Sequence, residues 1–138
     1  MSQQVVAKEQ AELEFTNFAE AMDIDIDIED MDQDDLKSFY ALKKRIIKSI
    51  MNGSLTFTDN NEPIFTPQRE SSGDKTPITF YEPKGSVLLS MDKMGKNKDV
   101  NKMFGLMGEM SKTSASRFSK LAMPDFNVCQ GIVTLFLG

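Results

Sequence analysis

With 138 residues, 40% of them hydrophobic, the chain has the length of one ordinary domain with a modest core. It has no His or Trp and a single cysteine, Cys129, which excludes an internal disulfide and removes the commonest general base and zinc ligand. The net charge of −5 conceals a division: residues 20–35 carry nine acids and no base, and the rest holds 12 acids against 16 bases, a net of +4.

The opening "MSQQVVAKEQAELEF" lacks a long apolar run behind a basic start, and no apolar run in the chain approaches the ~20 residues that span a bilayer. The expectation is a soluble protein of a reducing, intracellular compartment. "AKEQAELEFTNFAEAM" has the spacing of a short amphipathic helix that turns Leu13, Phe15, Phe18 and Met22 to one side.

The acidic stretch "MDIDIDIEDMDQDD" comes next. Read as a calcium loop from Asp23, it puts Ile28 where the turn glycine belongs and Asp34 where the bidentate Glu belongs. A loop begun at Asp25 ends on Leu36, so the calcium motif fails. The alternation of Ile24, Ile26 and Ile28 with Asp23, Asp25 and Asp27 has the period of a strand, but Asp is a poor strand former and like charges on one face repel. The expectation is a flexible electrostatic arm built on Asp23, Asp25, Asp27 and Glu29, which orders against a basic surface on this molecule or another. Residues 1–35 then form an N-terminal segment, and residues 36–138 a single α+β domain.

A stronger helix begins at a cap provided by Asp34 or Asp35 and puts Leu36, Phe39, Tyr40, Ile46, Ile47, Ile50 and Met51 on one stripe. Lys43, Lys44, Arg45 and Lys48 suit its later turns, and Gly53 supplies a left-handed stop. The basic run "KKRIIK" has no aromatic platform beside it and reads as a solvated helix face, with no nucleic-acid role expected. In "SLTFTDNNEPIFTP", Leu55 and Phe57 alternate with Thr, "DNN" marks a turn, and Ile64 and Phe65 resume the pattern, so a hairpin is expected. Pro63 and Pro67 are expected to shorten its second strand or confine it to an edge. "QRESSGDK" reads as a mobile loop, and "TPITFYEP" as a third short strand with Ile78 and Phe80 on one side.

From Pro83 the pattern turns helical. Val87, Leu88 and Met91 make a short stripe ending near Gly95, and Val100, Met103, Phe104, Met107 and Met110 share a face. Ser114 can cap a turn carrying Phe118 and Leu121. Pro124 and Asp125 open a last helix with Phe126, Cys129, Ile132, Val133 and Phe136 on a broad apolar face. The fold class expected is α+β and mostly helical: an N-terminal helix, a hairpin or three-stranded sheet, then a bundle of short C-terminal helices.

No chemistry is legible. No nucleophile neighbours a base, the stretches "GKNK" and "GLMGEM" match no phosphate-cradling loop, and Cys129 on an apolar face reads as an inert buried thiol. Neither an enzyme nor a cofactor is expected.

"ITFYEPKGSVLLSMDKM" followed by "SKLAMPDFNVCQGIVTLFLG" resembles the tail assembly chaperones of tailed bacteriophages. The matching pieces are Ile78 to Pro83, Val87 to Met94, Leu121, Asp125, Val133 and the closing Phe136, Leu137 and Gly138, and the likeness covers residues 54–138. It implies a non-enzymatic helper in the host cell cytoplasm that binds the tape measure protein and keeps it soluble while the tail tube polymerises. Other tail proteins, and a second copy of the chain, are further partners it admits. Ten Met, many in the helical half, suit a surface that adapts to irregular helical segments. On this reading Met103, Phe104, Met107, Phe118 and Phe136 grip the client. The competing expectation is a structural subunit of a phage tail, baseplate or related injection device, with the acidic arm added to a neighbour's sheet edge.

Overall fold

The computed structural model describes residues 6–87 and 99–137. The elements run α1 (Lys8–Ala21), α2 (Gln33–Met51), β1 (Leu55–Phe57), β2 (Pro63–Phe65), a 3-10 turn (Glu70–Ser72), β3 (Ile78–Thr79), α3 (Asp99–Ser111), α4 (Ala115–Ser119) and α5 (Met123–Leu137). This is the mostly helical α+β fold that the spacing of apolar residues predicts. Of the short stripe expected after Pro83, Val87 is buried, and Leu88 and Met91 lie outside the described residues.

The division at residue 35 is not a boundary. Ala11, Phe15 and Phe18 of α1 join Ile46, Ile47 and Ile50 of α2 and Cys129, Ile132 and Val133 of α5 in one core. Phe18 stacks against Phe57 of β1 at 5.3 Å and meets Phe136 of α5 edge-on at 5.4 Å. Sequence periodicity placed Leu13 on the same face, but it points outward and is 52% exposed. Ala11 and Ala19 take the inward positions, because small side chains let α1 lie close to its neighbours.

Asp32, not Asp34 or Asp35, caps α2, accepting from the Asp35 amide at 2.8 Å. Asp34 and Asp35 then occupy the first turn, where the helix dipole favours acids. The helix ends as expected, with Gly53 at φ +84°. Tyr40 stands away from the buried stripe, 48% exposed.

The sheet is antiparallel in the order β1-β2-β3, with Leu55 opposite Phe65 and Phe65 opposite Ile78. Its β2 is therefore central, and of the two outcomes expected from its prolines it shows the short strand, of three residues, and not the edge position. Pro63 is tolerated because it is the first residue of a short strand, where its missing donor costs least, and its carbonyl accepts from the Phe80 amide at 2.8 Å. Leu55, Phe65, Ile78 and Phe80 are all buried.

The polar loop after β2 is pinned, not loose. Asp125, in the first turn of α5, accepts from the amides of Gln68 and Arg69 at 3.0 Å each and from the Ser72 hydroxyl at 2.6 Å. That hydroxyl in turn accepts from the Ala122 amide at 2.9 Å, just before α5 begins. A buried carboxylate with three donors at a helix N-terminus is a favourable charged site.

Ser114 caps α4 as its position suggests. The turn between α3 and α4 is so tight that a Cβ on Gly108 would stand 3.0 Å from both the Ala115 nitrogen and the Thr113 oxygen. Gly108→Ala gains about 1 kcal/mol of helix propensity but forces backbone apart, so a net loss of about 1–2 kcal/mol is expected in the urea midpoint. An unchanged or raised midpoint would show that the turn relaxes without strain.

Candidate functional site

Two local devices seat the acidic segment on the body. The Ile24 amide donates to Ala19 at 2.8 Å as the chain leaves α1, and Asp23 turns the backbone at φ +54°, a conformation Asp tolerates better than most residues. Asp25 then accepts from the Asp27 amide at 2.9 Å, and Asp27 from the Glu29 amide at 3.0 Å. These side-chain turns replace the ladder bonds of a strand. The alternation seen in the sequence survives: Met22, Ile24 and Ile26 pack half-buried against the core, and Asp23, Asp25 and Asp27 face water.

Seating this segment leaves a groove of about 800 Å³ between it, α2 and α5. Met22, Ile24 and Met31 stand on one wall, Phe39 and Leu42 on the second, Leu135, Phe136 and Leu137 on the third. A Cβ on Gly131 would come within 2.6 Å of the Leu42 side chain, so the glycine lets α2 and α5 approach at the base. Asp23, Asp25 and Asp35 bring three carboxylates to the lining against one guanidinium, Arg45. The groove is apolar inside and acidic at its edge.

Of the residues expected to grip a partner, only Phe136 lines this groove, and Asp23 and Asp25 of the arm join it there. Met107 and Phe118 are sealed in the core with no exposure, so neither meets a partner in this conformation. Met103 and Phe104 lie half-buried on α3, where the Phe104 ring pairs with Phe126 at 5.4 Å. Asp27 and Glu29 point to water beyond the groove. The five side chains do not form one face, because α3 and α4 turn their stripes onto the sheet and α5. Phe39, which periodicity places on the apolar stripe of α2, and Leu42, which that stripe omits, line the groove instead.

Reactive chemistry is not assembled here. Burial, and then the charge of Asp125, pushes the Cys129 thiol far above its ordinary pKa, so it stays protonated and unreactive. Among the described residues no three His, Cys, Asp or Glu side chains converge as a metal site, and no helix is long and apolar enough to cross a membrane.

The chain matches no family model, no curated protein and no solved structure. The groove is open and bordered by apolar side chains, an arrangement that suits a helix or an extended segment.

Proposed function

We propose that this chain is a tail assembly chaperone of a tailed bacteriophage. In the host cytoplasm it binds the tape measure protein and keeps it soluble while the tail tube forms. It is not an enzyme and uses no cofactor. The observation that carries the reading is the groove between the acidic segment, α2 and α5. Its half-buried Phe39, Leu42 and Phe136 offer apolar contact, and its volume of about 800 Å³ is on the scale of several side chains. An amphipathic helix about 10–12 Å across enters such a groove with its apolar face. Asp23, Asp25 and Asp35 at the edge favour clients that carry Lys or Arg beside that face. The likeness of residues 54–138 to the chaperone family adds independent support. The Met-rich pattern supports it less, since Met107 and Met110 fill the core.

Co-expression with the tape measure protein of the same phage is expected to raise that protein's soluble fraction severalfold. Phe39→Ala combined with Leu137→Glu should remove most of the gain while the far-ultraviolet spectrum stays folded. A tape measure protein equally soluble with and without this chain overturns the reading.

A further inference from the structure

Beside the groove, and sharing Arg45 and Asn127 with it, a second depression of about 840 Å³ lies between α2, α5 and the loop after β2. Lys44, Arg45 and Lys48 of α2 and Arg69 of the loop line it. Its one carboxylate, Asp125, is already engaged by Gln68, Arg69 and Ser72. Among the described residues none of these four cations has an ion-pair partner: the pairs present are Lys75 with Glu70 and Arg117 with Asp74. Like charges around a concavity repel one another and focus a positive potential into it. That arrangement is relieved by an anionic chain.

The complementary chain is part of this protein. From Asp27 to Asp35 stand Asp27, Glu29, Asp30, Asp32, Asp34 and Asp35, all exposed and with no base among them. Ile28 projects from the middle of this run with 40% exposure, an apolar side chain with no internal use for its free surface. Within one molecule none of these acids pairs with the four cations among the described residues, and Ile24 and Ile26 hold the start of the segment against its own core. Ala41 and Pro124, both exposed at the rim of the depression, offer a place for Ile28.

We propose that the depression receives the acidic segment of a second copy of this chain, so that the protein self-associates segment to depression. Each copy carries both halves of the contact, and the pairing extends or closes according to how many copies join. The contact is chiefly electrostatic and weakens as salt rises. It does not rest on the tape-measure reading.

Sedimentation of the full-length protein at about 20 mM and about 500 mM salt tests this. Association at low salt, weakened at least about tenfold at high salt, is the expected result. Lys44→Glu with Lys48→Glu removes the depression, and Asp27→Lys with Glu29→Lys and Asp30→Lys removes the segment; all five residues are exposed, so both variants should fold. Each variant alone is expected to be monomeric, because its segment and depression then carry like charge. An equimolar mixture of the two should associate, because the native acidic segment of one meets the native basic depression of the other. Replacing the same three acids by Asn and Gln instead leaves an intact depression, and its mixture with the Lys44→Glu, Lys48→Glu variant should give a 1:1 complex. A wild-type chain that stays monomeric at low salt overturns the proposal. So does association that survives either set of substitutions, or a neutralised mixture that yields no complex.

Discussion

Phe18→Ala is expected to destabilise the entire chain by about 4 kcal/mol, which for a chain of this size lowers the thermal midpoint by roughly 15 °C. Phe18 is 2% exposed and holds ring contacts to Phe57 of the sheet and Phe136 of α5. The alanine therefore removes an aromatic side chain from the point where three elements meet and leaves a cavity that the helices fill only in part. Leu13→Ala on the same helix should stay within about 0.5 kcal/mol, because Leu13 is 52% exposed. The pair of measurements decides whether α1 belongs to the core or hangs beside an independent body. A Phe18→Ala loss below about 1 kcal/mol would favour the independent body over a core shared with α1. The groove should respond too, since Phe136 lines it and is held from behind by Phe18.

Asp125→Ala should cost about 3 kcal/mol, the second largest effect. Three donors lose their acceptor at once: the amides of Gln68 and Arg69 and the hydroxyl of Ser72. Hydrogen bonds to a charged group contribute about 1.5–3 kcal/mol each, but the loop relaxes toward water and recovers part of the loss. Asp125→Asn keeps one acceptor oxygen and turns an amide donor against another donor, so an intermediate loss of about 2 kcal/mol is expected. Ser72→Ala should cost about 1 kcal/mol, and the double variant less than the sum, because both residues serve one network. Urea midpoints give the energies, and amide exchange at Gln68 and Arg69 should quicken in step. An Asp125→Ala midpoint indistinguishable from wild type would mean that the loop is held by other contacts.

These two residues illustrate what a single sequence conveys. Phe18 was legible as part of an amphipathic helix, since its spacing from Phe15 and Met22 is a local property. That α1 packs into the main core was not, because the acidic stretch separates it from the body and suggested a free arm. Asp125 was legible as a helix-opening acid. Its partners lie 53 to 57 residues earlier in a loop that reads as mobile, and no local pattern links the two.

The candidate site divides the same way. Asp23, Asp25 and Phe136 were singled out from charge and apolar spacing, but Met107 and Phe118 shared those credentials and are buried. Periodicity identifies an apolar face without saying whether another element covers it. Where α3 and α4 meet the sheet and α5, the faces are covered, and where the acidic segment stops short of α5, a gap is left.

By itself the sequence determined the helix faces apart from Leu13 and Tyr40, the Ser114 cap, the stop at Gly53, the hairpin and the mostly helical α+β class. Each of these is settled within a turn or two of chain, by side-chain period, capping and backbone freedom. Only the tertiary structure decided that β2 is central, that the acidic segment rests on its own body, and which apolar side chains border a groove. Those outcomes depend on contacts between distant segments competing for one small core, and burial is assigned by that competition, not by any residue's neighbours in sequence.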